Sequence, residues 1–222
     1  MIDNKETISM NEETFKREYL AYWSPPPTEK QIKIVALFGP SGAGKDTIKN
    51  QLLKQFPNTF ANIIRTTSRP KRDYEIDKKD YYFVDKKTFE EILLDQHLLI
   101  EAVCYNSWFY GTEKDKLDKE KINIGCYDIE SIHCLLRDPN LLVCPVFISV
   151  PSKTRLQRCL NREENPNCIE ICRRFLSDVE DFKEIDFNCI GFKNDNNINI
   201  FTYDFTDKVK ELEEYFNNVK LF

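Results

Sequence analysis

The residues with the clearest chemical purpose are Gly39, Pro40, Ser41, Gly42, Ala43, Gly44, Lys45, Asp46 and Thr47. Their Gly-x4-Gly-Lys spacing lets the backbone turn its N–H groups inward around an anion, with the lysine reaching the terminal phosphates of a nucleoside triphosphate. Apolar residues 34–38 precede the glycines as a strand covered on both faces, and Ile48, Leu52, Leu53 and Phe56 follow at helical spacing. A helix opening at the turn adds its unpaired donors and its dipole to the same site. Asp46 breaks the pattern, which has Ser or Thr there to bind Mg²⁺ through a hydroxyl. A carboxylate is itself a hard-cation ligand. Asp46 is therefore expected either to bind the metal, directly or through its water shell, or to turn away as a helix-start acid while Thr47 assists.

A phosphate loop identifies a donor side, and the acceptor must be sought elsewhere. Thr66-Thr67-Ser68-Arg69-Pro70-Lys71-Arg72 ends in clustered cations, and Lys79-Asp80-Tyr81-Tyr82-Phe83-Val84 follows. Arginine binds phosphate oxygens bidentately through its planar fork, so Arg69 and Arg72 with the Tyr81 hydroxyl could cradle a second phosphate. Alone, this stretch reads as a solvated basic turn; its order after a phosphate loop turns the reading towards phosphoryl transfer.

These groups need a scaffold to hold them. Strands are expected over 32–38, 60–65, 98–103, 122–127, 142–150 and 186–192, and helices over 45–56, 86–95, 129–137, 152–162, 168–182 and 206–219. Such alternation predicts an α/β fold, a mainly parallel sheet flanked by helices. Residues 66–116 are charged, rich in Tyr and dense in turn signals; they read as an insert short of apolar mass for its own core. Residues 193–199 read as an Asn-rich loop. Residues 1–30 read as a helical appendage: Phe15, Tyr19, Tyr22 and Trp23 form an aromatic stripe, and Pro25-Pro26-Pro27 ends it as a stiff spacer. That stripe is expected to pack on the main body, contact with a second copy in a homodimer being the alternative.

The chain of 222 residues suits one substantial domain, and its net charge of −5 argues against a general nucleic-acid grip. Without a long apolar run or a signal-peptide pattern, a soluble cytoplasmic protein with no membrane partner is expected. Eight cysteines include no Cys-x-x-Cys pair. Cys126, Cys144 and Cys189 sit in apolar runs, and neither Cys168 with Cys172 nor His133 with Cys134 completes a zinc site by local spacing. Reduced, structural thiols are expected.

In sum order, the motifs resemble those of the guanylate kinase family, which carries GPSGxGKS, TTRxPRxxExxGxDYxFV, an acidic residue ahead of YYG[ST], an acidic DID segment and an arginine-rich lid. This chain has GPSGAGKD, TTSRPKRDYEIDKKDYYFV, Glu101 ahead of Tyr110 in FYGT, Asp128-Ile129-Glu130 and an arginine-bearing stretch after Pro151-Ser152. The resemblance spans most of the chain and implies a P-loop nucleoside monophosphate kinase fold over 31–222, with an acceptor-binding insert at about 66–116 and a lid at about 155–175. It implies ATP as co-substrate, Mg²⁺ as cofactor and GMP or dGMP as acceptor. Arg69, Arg72, Tyr81 and Tyr110 then look like ligands of the acceptor phosphate, and Glu101 like the carboxylate that pairs with the guanine N1–H and N2 amino group. Thr112 and Glu130 lie where the family makes further base-side contacts, and Asp128 where it keeps an aspartate near metal and acceptor. Arg158 and Arg162, on one expected helix face, resemble lid arginines, and Arg174 the last cation to close over the transferring phosphate; Lys45 joins them as the catalytic set.

The departures are specific. The proline sits one place early, and Asp73, Tyr74 and Lys78 replace the acceptor-turn glycines. One residue is inserted ahead of Glu101, which leaves that strand's register open. Arg65 stands where the family has a serine donating to guanine O6; it is expected either to donate to O6 and N7 or to form a salt bridge with Glu75 or Asp77. Besides a guanine kinase, the residues admit a kinase of other deoxynucleotide or small phosphate acceptors, and an inactive guanylate-kinase-like interaction module.

Overall fold

A computed structural model describes residues 31–72, 75–95, 98–105, 107–162, 164–185, 187–194 and 199–218. The aromatic stripe and proline spacer of residues 1–30, Asp73, Tyr74 and most of the Asn-rich loop lie outside the described residues. In chain order the elements are β1 (Ile32–Phe38), α1 (Lys45–Gln55), β2 (Phe60–Asn62), β3 (Thr66–Thr67), β4 (Tyr82–Phe83), α2 (Lys86–Leu94), β5 (Leu99–Tyr105), β6 (Trp108–Glu113), β7 (Ile122–Cys126), α3 (Ile129–Arg137), β8 (Leu141–Ser149), α4 (Ser152–Leu160), α5 (Cys168–Asp181), β9 (Ile190–Lys193) and α6 (Thr206–Asn218). The described residues fall into two compact units, one of 31–63 with 117–218 and one of 64–116.

The larger unit is built on a five-stranded sheet in the order β2-β7-β1-β8-β9, all neighbours parallel. Ile34 to Phe38 are buried without alternation because both faces of β1 are covered. Leu37, Ile48, Leu52, Ile124, Ile148 and Phe205 join in its core. The fold is α/β with a mainly parallel sheet flanked by helices, as the sequence predicts. Among the described residues no helix is long and apolar enough to cross a membrane.

The smaller unit carries a four-stranded sheet, β4-β3-β6-β5, with β6 antiparallel to both β3 and β5. Two expectations change here. The strand expected over 60–65 is shorter: β2 ends at Asn62 and pairs with β7, and after a break at 63–65, just past the expected strand, the chain enters a different sheet as β3. And 64–116 has an apolar cluster of its own, Phe89, Leu93, Leu99, Ala102, Cys104 and Phe109, with the Phe89 and Phe109 rings stacked 5.5 Å apart. The residue inserted ahead of Glu101 is absorbed as an irregularity in the β5–β6 ladder between Leu99 and Glu101, which sets Glu101 opposite Thr112.

Candidate functional site

The phosphate loop leaves the carboxyl end of β1 and opens α1. Gly42 and Gly44 adopt φ of 78° and 88°, the left-handed region glycine tolerates. Packing also demands them: a β-carbon at Gly42 would lie 2.5 Å from the Arg155 carbonyl, and one at Gly44 2.6 Å from Asn194 Nδ2. Lys45 Nζ donates to the carbonyls of Gly39 at 2.6 Å and Pro40 at 3.2 Å, which holds its charge over the loop.

Three side chains that sequence reasoning did not single out brace this loop. Asp178, on α5, accepts the Ser41 N–H at 2.9 Å, and its carboxylate also takes Arg155 Nη1 at 3.1 Å. Arg155 is buried and its guanidinium lies 3.7 Å from the Phe175 ring centre, a cation–π contact. Asn194, just past β9, donates to the Ala43 carbonyl at 2.7 Å, and its Oδ1 is buried without a hydrogen-bond partner among the described residues. A lone Arg in a basic helix and an Asn closing a strand carry little local signal; the pairings become visible only once α4, α5 and β9 stand behind the loop.

Of the expected lid cations, Arg158 comes to the loop, its Nη1 3.9 Å from the β-carbon position at Gly44. Arg162 does not share its helix face. The helix α4 ends at Leu160 with Asn161 as its C-cap, so Arg162 lies in the turn beyond. Asn161, a residue that favours caps over helix interiors, ends the helix before the arginine is reached. Arg174, on α5, lies 3.5 Å from Glu170, and its buried Nε makes no hydrogen bond among the described residues. Asp128 caps α3, accepting the Ser131 N–H at 2.7 Å and hydroxyl at 2.9 Å, and Glu130 sits in that helix's first turn.

The Asp46 side chain is 73% exposed and lies 3.9 Å from Lys49 Nζ. The Cys126 thiol, at the end of β7, donates to Asp46 Oδ1 at 3.5 Å. Burial, with the Asp46 charge beside it, pushes that thiol up to about 12, so it is a neutral donor at physiological pH. Among the described residues no three His, Cys, Asp or Glu side chains converge to cage a metal. One exposed carboxylate beside a phosphate loop fits Mg²⁺, which takes most of its ligands from phosphate and water.

In the smaller unit Arg69 and Arg72 gather about Glu75, with Tyr81 and Tyr110 beside Arg69. Arg69 Nη2 donates to Glu75 Oε1 at 2.7 Å, and the Arg72 N–H to Oε2 at 2.8 Å. The Arg69 guanidinium lies 5.6 Å from the Tyr81 ring centre, and Tyr81 meets Tyr110 edge-on at 6.1 Å. Burial works against both charges, yet the mutual hydrogen bond and attraction win: Glu75 is held below the usual carboxylate range and Arg69 above its ordinary value. The sequence suggests Glu75 only as a partner for Arg65; its task of orienting the other arginines is not legible there.

Arg65 Nε donates to Glu101 Oε1 at 3.0 Å and Nη2 to Oε2 at 2.9 Å, while the Thr112 hydroxyl donates to Oε1 at 2.7 Å. All three are buried. The salt bridge that Arg65 makes is thus with Glu101, the expected base-side carboxylate, where Glu75 or Asp77 was the expected partner.

The guanylate kinase family model matches residues 31–218. Guanylate kinase of Mycoplasma genitalium is 33% identical over 162 residues, covering 70% of this chain and 66% of that protein. Protein PALS1 of Danio rerio is 31% identical over 175 residues, 76% of this chain but only 25% of that much longer protein. The crystal structure of guanylate kinase from Anaplasma phagocytophilum shares the fold, with a TM-score of 0.57 at 20% identity, covering 86% of this chain and 89% of that one. The loop, the braced arginines and these matches agree, and the chain belongs to the guanylate kinase family.

Proposed function

We propose that the protein transfers the terminal phosphoryl group of ATP to a nucleoside monophosphate, GMP or dGMP, giving the diphosphate and ADP. The observation that carries this reading is the phosphate loop itself, with Lys45 held over it and Arg158 beside Gly44. Phosphoryl transfer asks a protein for in-line positioning and for neutralisation of the charge that spreads over the moving group. Lys45, Arg158, Arg162 and Arg174 supply that positive charge, and residues 39–47 cradle the donor. Asp46 would hold a magnesium ion on the protein side, and that ion would supply Lewis-acid polarisation of the donor. Arg69 and Arg72, aimed by Glu75, hold the acceptor phosphate with Tyr81 and Tyr110. Arg65, Glu101, Thr112 and Glu130 make the base-side contacts, and Asp128 serves the metal and the acceptor.

A second reading, a guanylate-kinase-like interaction module without turnover, is favoured by the similarity to PALS1 and by Asp46 in place of the hydroxyl. Release of ADP, assayed with ATP, Mg²⁺ and a panel of nucleoside monophosphates, separates the two. Turnover with at least one monophosphate is the expected result; a folded protein that turns over none of them overturns the kinase reading.

A further inference from the structure

Glu101 is wholly enclosed: its side chain has 0% exposure, and that of Arg65, which lies on both its oxygens, has 8%. A carboxylate has about four acceptor positions. At least three are taken here, by Arg65 Nε, Arg65 Nη2 and the Thr112 hydroxyl. The Arg65 guanidinium and the N1–H/N2 edge of guanine are both planar, two-pronged donors, and both need one in-plane position on each oxygen. They compete for the same face of one side chain. The bulge at Leu99–Glu101 holds Glu101 opposite Thr112, and the guanidinium is held in turn 5.7 Å from the centre of the Tyr110 ring.

We propose that Arg65 is a specificity-determining residue that acts as an internal substitute for the base: it satisfies Glu101 in advance, so monophosphates of other bases are accepted beside GMP and dGMP, and the acceptor is selected by phosphate more than by base. This rests on the reading of 64–116 as the acceptor site. A polar pocket discriminates strongly when the wrong ligand leaves its buried groups unpaired, which is how factors of about 10⁴ arise. With Arg65 in place, adenine or thymine leaves Glu101 no less paired than guanine does. The penalty that would reject them is absent.

The test compares kcat/KM of the full chain for GMP, AMP and dTMP with ATP and Mg²⁺, alongside calorimetric titration with the same three nucleotides. The wild-type protein is expected to keep the three within about tenfold of one another, against the roughly 10⁴ of a pocket whose polar groups depend on the ligand. Arg65→Ser frees Glu101 and should widen the preference for GMP over AMP at least tenfold. Arg65→Lys, a point charge that cannot span both oxygens, should widen it less, and it serves if the serine variant does not fold. A wild-type preference for GMP of a thousandfold or more overturns the proposal while leaving the kinase reading intact, as does a narrowed preference in either variant. Should no turnover be seen, the binding ratios decide by the same criteria. Failure of all three nucleotides to bind removes the acceptor site and this proposal with it.

Discussion

Asp178 Oδ2 accepts the backbone N–H of Ser41 at 2.9 Å, tying the phosphate loop to a helix 137 residues further along the chain. The same oxygen takes Arg155 at 3.1 Å, so one carboxylate both orders the loop and neutralises a buried guanidinium. Removing one partner of such a pair leaves an uncompensated buried charge. Asp178→Ala should therefore lower unfolding free energy by about 3–5 kcal/mol in urea titration, and in the fraction that folds it should weaken ATP binding. Asp178→Asn, which still accepts from Ser41, should lose less on both counts. An unchanged urea midpoint for the alanine variant would show that the brace is not structural.

Lys45 makes two contacts to loop carbonyls, at 2.6 and 3.2 Å, which keep its charge where donor phosphates would lie. Lys45→Ala should lower kcat by about 10²-fold or more, the scale of losing one preorganised charge-stabilising donor. Single-turnover measurement separates this from slow product release. Near-normal turnover in a folded variant would remove the loop from the mechanism.

Glu75 aims Arg69, and its ionisation below the ordinary value of 4.5 would couple the proposed acceptor site to pH. A depressed carboxylate contributes stability that is present above the unfolded-state value and is lost as pH falls through the folded one. Thermal melts of wild type and Glu75→Gln should differ at pH 7, and the gap should close as the pH drops below about 4.5. Arg69→Ala and Arg72→Ala should each impair use of the acceptor while leaving ATP affinity intact. An effect confined to ATP would mean that the turn serves the donor.

Asp46 is exposed beside the loop and takes a hydrogen bond from a neutral thiol. If it binds Mg²⁺, Asp46→Ala should raise the free Mg²⁺ needed for half-maximal activity, while Asp46→Ser, which restores the usual hydroxyl, should retain activity. Identical metal titration curves for both variants and wild type would reduce Asp46 to a helix-start acid.

Much of the larger unit could be read from the chain. The expected helix over 129–137 matches α3 in both bounds, and the strand over 32–38 matches β1, because long apolar runs bounded by capping residues leave few alternatives. The smaller unit was less legible. Strands of two residues such as β3 and β4 have no period to detect, and β6 carries Gly111 and polar residues that read as turn. Residue positions along the motif predicted that Arg69, Arg72 and Tyr81 would gather. The linear pattern could not reveal what each cation faces: Arg69 meets Glu75, Arg65 meets Glu101, and Arg155 meets Asp178, pairings set by sheet register and helix packing between segments far apart in sequence.

The parallel sheet also sets an order of events during synthesis. Among the described residues β1 bonds to β7 and β8, so its first partner exists only once the chain through Cys126 has been made and its second once Ser149 has. Residues 64–116 emerge in between, and their strands pair only among themselves, so that segment can close its hairpin while β1 still waits. The glycine turn after β1 is made well before Asp178 and Asn194, which fix its backbone. A chain interrupted after residue 116 but before β7 would present a finished hairpin and an apolar strand with open edges, the state most prone to pairing with a neighbour.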